Sequence, residues 1–235
     1  MYDVKGKKVV LFGGTSGIGA AAARQLTDLG ANVTVIGRDP SKAGNAGPGV
    51  GFEQCDTTDE GQVKDLLARL APYDVLISAA TGGDRAVGPF LSMDLEGFKA
   101  SFAKMWGYAN VVRHGAQHLP DDGCIVLVSG SPARKIKPGQ IAIGSVGGAV
   151  EQFVRGMARE LAPIRINVVA PGFIDTPMVP LQGKEREDLY SNLTANHLIP
   201  RAGQADEVAH GIVFAVQNTF ATGTTVDVDG GLLLS

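Results

Sequence analysis

Apolar residues gather in short runs at positions 9–12, 33–36, 75–77, 125–128, 164–169 and 225–228. The first five runs are almost continuously apolar. A strand with one wet face alternates apolar and polar residues, whereas a strand buried on both faces does not, so these runs predict a parallel sheet covered on both sides. A weaker run at 51–54 is the candidate for a seventh strand. Helical periods lie between the runs. Ile18, Ala22, Leu26 and Leu29 form one stripe. Leu95, Phe98, Phe102, Met105, Ala109, Val112, Ala116 and Leu119 form a second, in unbroken steps of three and four. Ala149, Phe153, Met157 and Leu161 form a third, ended by Pro163, and Val208, Ile212 and Ala215 form a fourth. Strand–helix alternation from end to end predicts an α/β chain: a single Rossmann-like, doubly wound domain over residues 1–235 with about seven parallel strands. Segment 177–198 interrupts the alternation. It is polar with a weak helical period, and its place in the fold predicts a mobile lid over a site, with an ordinary surface helix as the alternative.

Composition narrows the classes. The 235 residues are 44% apolar and 19% charged, enough for a sizeable core and unlike a disordered chain. A net charge of −3 excludes a nucleic-acid binder that works by bulk positive charge. No apolar run approaches the roughly 18 residues that cross a bilayer. The run at 9–12 behind Lys5, Lys7 and Lys8 is too short for a secretion signal. A soluble, cytoplasmic protein is expected, with neither nucleic acid nor membrane as partner. Cys55 and Cys124 make neither a disulfide framework nor a four-ligand zinc site. His114 and His118 stand one helical step apart without further ligands at suitable spacing, so no metal is expected.

Glycine, with 32 residues, is about twice as frequent as usual. Three glycines matter most. Gly13, Gly17 and Gly19, with Thr15, Ser16 and Ile18 between them, join the first strand to the first helix. Glycines there let the backbone turn sharply and approach a pyrophosphate seated on the helix N-terminus. The second strand ends in Gly37-Arg38-Asp39-Pro40. An acidic residue at that end would bind ribose hydroxyls and favour NAD(H). A guanidinium suits a 2′-phosphate, so Arg38 favours NADP(H), a solvated loop cation being the alternative. Asp39 reads as an N-cap with Pro40 at the first helical position.

These residues resemble the short-chain dehydrogenase/reductase family, and further motifs extend the resemblance over nearly the whole chain. Cys55-Asp56-Thr57 looks like the family's adenine-binding turn. Ser78-Ala79-Ala80-Thr81 stands where the family usually has Asn-Asn-Ala-Gly. The segment Asn167 to Thr176, with Pro171, Gly172 and Phe173 inside it, looks like the family's stretch after strand six, where the counterparts of Ile174 and Thr176 hold the nicotinamide carboxamide. Pro200-Arg201-Ala202-Gly203 and the stretch from Val226 to Gly231 resemble its C-terminal oligomerisation region, which implies a homo-oligomer, tetramer or dimer.

The catalytic pattern departs from the family's. Aligned without a gap, Ile143 takes the place of the Tyr and Gly147 that of the Lys in Tyr-x-x-x-Lys. Gly130 takes the place of the Ser, and Lys104 that of the Asn on the fourth helix. General acid catalysis is worth roughly 10²–10⁴-fold, and Ile143 has no proton to give. Gly147 and Gly148 each cost about 1 kcal/mol in mid-helix, which predicts that the space is kept for a substrate, a cofactor edge or a partner helix. The remaining catalytic candidates are Lys104, Tyr108 and Ser131, each with a bland alternative: a surface lysine, a core or interface aromatic, a loop hydrogen bond. Arg134, Lys135 and Lys137 are solvated cations or contacts for an anionic substrate. The resemblance implies an NADP(H)-dependent oxidoreductase with a non-standard site, acting on a small molecule with an activated C=N or C=C bond in preference to a simple ketone. A cofactor-binding protein without catalysis, or a non-redox enzyme reusing the pocket, are the alternatives.

Overall fold

The computed structural model describes every residue except Gly82 and Asp84. In chain order the elements are β1 (Lys8–Phe12), α1 (Gly17–Asp28), β2 (Asn32–Gly37), β3 (Gly51–Gln54), α2 (Glu60–Leu70), β4 (Val75–Ser78), α3 (Leu95–Ser101), α4 (Ala103–Gly115), β5 (Cys124–Val128), α5 (Ile141–Glu160), β6 (Arg165–Pro171), β7 (Ile174–Asp175), α6 (Gly183–Thr194), β8 (Gly203–Gln204), α7 (Ala205–Gln217) and β9 (Thr225–Val228). Seven strands form one sheet in the order β3-β2-β1-β4-β5-β6-β9, and every pairing in it is parallel. All seven apolar runs are strands.

Alternation along the strands divides the core in two. Val9 and Leu11 face α1 and α7, while Val10 and Phe12 face α2, α4 and α5. The strand order reverses between β1 and β4. At such a switch point the connections leave in opposite directions and open a crevice beyond the carboxyl ends of the strands. Beyond β2, Asp39 caps a 3₁₀ turn that begins at Pro40, accepting from the Ser41 N–H at 3.0 Å. At the other end of the sheet Arg165 is buried. Its guanidinium donates to the carbonyls of Ala215 and Val216 at 3.0 and 2.7 Å and of Asn218 at 2.9 Å, satisfying acceptors that the end of α7 would otherwise leave open.

The stripe at 95–119 is not one helix. It breaks at Phe102 (φ −76°, ψ −6°), whose N–H reaches back only three residues, to Lys99. The break separates two environments. Leu95 on α3 is 58% exposed, whereas Val112 on α4 and Ala116 and Leu119 beyond it are buried. The polar segment after Pro177 contains α6, anchored by buried Tyr190 and Thr194.

Candidate functional site

The glycine-rich turn between β1 and α1 is compressed by its neighbours. A Cβ on Gly13 (φ +75°) would stand 2.5 Å from the Ala80 nitrogen, and one on Gly19 would stand 2.1 Å from the Gly13 carbonyl oxygen. Glycine is therefore required at both positions, and the turn presents bare backbone. Ser16 caps α1 without a side-chain hydrogen bond, and the first turn holds no acidic residue. The helix's leading N–H groups thus face a cavity of about 500 Å³ along the carboxyl ends of the central strands. A helix N-terminus opened in this way is suited to an anion such as a pyrophosphate.

Of the cofactor-binding candidates, every residue but Asp56 lines this cavity. Asp56 closes its own turn, accepting from the Thr58 N–H at 2.9 Å and from its hydroxyl at 2.8 Å, while Cys55 and Thr57 on either side face inward. Gly37 brings the chain past Thr15, where a Cβ would meet the threonine side chain at 2.9 Å, and Arg38 follows on the cavity wall.

Of the catalytic candidates, Lys104 lines the cavity, and Tyr108 and Ser131 do not. Tyr108 is a core residue. Its hydroxyl donates to the Val128 carbonyl at 2.9 Å, and burial pushes its pKa up. Ser131 is fully buried and donates to the Pro171 carbonyl at 2.9 Å, tying the turn after β5 to the end of β6. Ser129, two positions earlier, does line the cavity. Lys104 is anchored by a bond from Nζ to the Ser129 carbonyl at 3.1 Å, with the Tyr108 ring centroid 5.6 Å away. The residue is half-buried and lines the cavity. Burial, aided by the neighbouring Arg85 cation, pushes its pKa down to about 7.

Gly147 does not open space beside the cavity. The 3₁₀ turn Ser131–Ala133 occupies that volume, so a Cβ on Gly147 would meet the Ala133 Cβ at 3.0 Å. Gly148 is looser, with the Ala133 carbonyl oxygen nearest at 3.8 Å. The mid-helix glycines thus admit this chain's own loop. Ile143, one turn earlier on α5, does line the cavity.

The loop cations separate into two roles. Arg134 turns away from the cavity, donating to Asp227 Oδ2 at 2.9 Å and pairing through Nε with Glu151 Oε2 at 3.2 Å. Glu151 is only 2% exposed and also accepts from the Ser129 hydroxyl at 3.1 Å. Lys135 and Lys137 line the cavity. His114 pairs with Glu60 at 2.8 Å, and among the described residues no cluster of His, Cys, Asp or Glu is arranged to hold a metal. Arg85 and Glu151 escaped the sequence reading. Arg85 sits in a loop without periodicity. Glu151 left a signal, a lone carboxylate beside Val150 and Val154 on the buried side of α5.

A family profile described as Enoyl-(Acyl carrier protein) reductase matches residues 13–233. The chain belongs to the short-chain dehydrogenase/reductase family. It is 30% identical over 240 residues to a 3-oxoacyl-[acyl-carrier-protein] reductase of Rattus norvegicus, covering 97% of this chain and 99% of that one. It is 32% identical over 237 residues to a cyclic-di-GMP-binding biofilm dispersal mediator protein of Escherichia coli, covering 96% of each. A small-chain dehydrogenase crystallised in complex with NADPH superposes with a TM-score of 0.84 at 30% identity, over 98% of this chain and 100% of that one. The seven-stranded parallel sheet and its flanking helices are those of this family. No helix among the described residues is long and apolar enough to cross a membrane.

Proposed function

We propose that this member of the short-chain dehydrogenase/reductase family is an NADP(H)-dependent oxidoreductase in which Lys104 takes the place of the usual tyrosine as proton donor. The observation that carries the reading is Lys104, half-buried on the cavity wall with its amine fixed to the Ser129 carbonyl, in the same cavity that the glycine turn and Arg38 line. The bare turn, the uncapped α1 N-terminus and the cation after β2 fit a pyrophosphate and a 2′-phosphate. Phe173, Ile174 and Thr176 on the cavity wall would face the nicotinamide. The whole chain acts as one cofactor-binding unit.

NADPH, when bound, supplies a hydride. The chain's own residues decide what receives it. Ile143 makes an apolar wall where the family's tyrosine would stand, so the hydroxyl that the family places there is missing. Reduction of a simple ketone creates a basic alkoxide that needs a proton at once. Hydride addition to a conjugated C=C moves the displaced electron pair onto the carbonyl oxygen as an enolate. The Lys104 ammonium stabilises that charge and then gives up its proton. Addition to an iminium carbon leaves a neutral amine and asks for no proton. Activated C=C and C=N acceptors therefore suit the site better than an unactivated ketone.

The test is a panel of ketones, enones and cyclic imines with NADPH, followed by absorbance, for the parent and Lys104→Met. Enone or imine turnover in the parent is expected, with the enone rate lost in the variant. Ketone reduction that survives Lys104→Met overturns the assignment. Tight NADPH binding without turnover of any class favours a cofactor-binding protein without catalysis.

A further inference from the structure

Arg85, Lys104, Lys135 and Lys137 all line the cavity, and the partners that hold them are neutral. Lys104 donates to the Ser129 carbonyl at 3.1 Å and Lys135 to the Leu232 carbonyl at 2.9 Å. Lys137 lies 5.3 Å from the centroid of the Phe173 ring, and Arg85 points a guanidinium nitrogen at the Met178 sulfur. Several cations elsewhere meet carboxylates: Lys7 pairs with Asp74, Arg69 with Glu53, Arg134 with Asp227, Arg201 with Glu207. Among the described residues, the one carboxylate in the cavity lining is Asp39, held at the Arg38 end by Ser41 and Lys42. Arg85 lies beside Lys104, and Lys135 and Lys137 both act on the His197 imidazole, as does the Asp229 carboxylate behind the lining. Four cations on one cavity wall against that single neighbouring carboxylate leave an excess of positive charge, and like charges repel. Carbonyl, sulfur and ring partners orient these cations without neutralising them.

We infer that the cavity end framed by Arg85, Lys104, Lys135 and Lys137 is a subsite for the negatively charged group of the substrate, a carboxylate or a phosphate ester. An anion there forms charge-assisted hydrogen bonds with groups already positioned for it, and like-charge repulsion turns into attraction. The inference rests on the reading above that substrate occupies the Lys104 end while the cofactor's own phosphates lie at the glycine turn and Arg38. It also chooses between the two acceptor classes. A protonated imine is repelled by this lining, whereas a conjugated alkene bearing an acid group is drawn in. The acid group docks on the lysines, the hydride forms the new C–H bond at the β-carbon, and the displaced electron pair collapses onto the proton that Lys104 delivers.

The experiment uses protein saturated with NADPH, so that the cofactor's phosphate sites are filled. Glutarate, inorganic phosphate and the neutral glutaric diamide are titrated by calorimetry. At least one of the two anions is expected to bind at least tenfold more tightly than the diamide, and the stronger one identifies carboxylate or phosphate as the group recognised. Lys137→Gln and Arg85→Gln are each expected to weaken that anion about tenfold while NADPH affinity, measured on the same samples, stays within twofold. Retained NADPH binding also certifies that the variants are folded. Equal binding of acid and diamide overturns the inference. So does loss of NADPH binding in either variant with the thermal unfolding profile unchanged, since those cations would then belong to the cofactor. Intact anion binding without hydride transfer to any acceptor counts against the proposed reaction and leaves the subsite standing.

Discussion

Lys104 Nζ donates to the Ser129 carbonyl at 3.1 Å, across the gap between α4 and the end of β5. The bond fixes the primary amine of a half-buried residue that lines the cavity. Burial and the adjacent Arg85 bring its pKa to about 7, so it exchanges a proton near neutrality. The other groups facing it do not titrate there. A guanidinium stays charged, and burial keeps the Tyr108 hydroxyl protonated.

Reduction that depends on the Lys104 proton should therefore lose rate as pH rises through about 7. The pH profile of kcat/KM for an enone should show this limb, and Lys104→Met should abolish it. Stability moves the opposite way. Below about 7 the folded chain carries a buried charge at Lys104 that the unfolded chain carries in water. Between about 7 and the unfolded value of about 10.4, the unfolded chain binds the proton and the folded chain does not. Stability therefore rises with pH across that window, at no more than about 1.4 kcal/mol per pH unit. Urea midpoints should show Lys104→Met more stable than the parent at pH 7, with the difference closing near pH 10.

The glycines of α5 make a graded series. A mid-helix Gly→Ala change ordinarily adds about 1 kcal/mol of stability. Gly156 has nothing within 4 Å of a built Cβ, and Gly148 has only the Ala133 carbonyl oxygen at 3.8 Å. Both alanine variants should gain about that amount. Gly147→Ala pushes against Ala133 at 3.0 Å and should gain nothing or lose stability. Gly147→Lys, which puts the family's residue back, must displace the Ser131–Ala133 turn and should cost about 1–3 kcal/mol as overpacking. Equal gains for the three alanine variants in chemical denaturation would show that the turn does not hold Gly147.

The strands were legible because burial on both faces leaves continuous apolar runs, and 125–128 lies within the fully buried β5 as written. The cofactor cradle was legible because its turn demands glycine at fixed offsets from a strand. The catalytic end was not. Spacing placed Ser131 near the chemistry, but whether a hydroxyl faces the cavity or the Pro171 carbonyl depends on one backbone turn that periodicity does not encode. Gly147 read as vacant volume because a sequence cannot say which loop descends to fill it. Tyr108 sits one helical step from Lys104, yet only the lysine opens on the cavity, since the tyrosine's ring is consumed by packing over β5.

Arg38 gives a prediction about cofactor choice. It follows Gly37 on the cavity wall at the end of β2, and the neighbouring Asp39 carboxylate is taken up by Ser41 and Lys42. Hydrogen bonds to a charged group contribute about 1.5–3 kcal/mol, or roughly 10–100-fold in affinity. Arg38→Ala should weaken NADPH by that factor and leave NADH nearly unchanged, as read by fluorescence titration of both cofactors. Equal losses for the two would remove Arg38 from the 2′-phosphate site.

The outward half of the 95–119 stripe predicts self-association. Phe90 stacks edge-on to Phe98 at 5.7 Å, and Phe98 meets Phe102 at 5.6 Å. One helical step further on, Trp106 is 68% exposed, and Leu91 and Leu95 are exposed beside this aromatic row. A row of this kind leaves water only against another apolar surface. A second copy of the chain is the natural cover, because closed symmetric assemblies bury the same patch on each subunit. Light scattering at micromolar concentration should give a mass of two or four chains. Trp106→Glu should shift that mass toward the monomer and leave NADPH binding intact, since Trp106 lies outside the cavity lining. A monomeric mass for the parent would sink the prediction, and an unchanged oligomer in the variant would move the interface to another face.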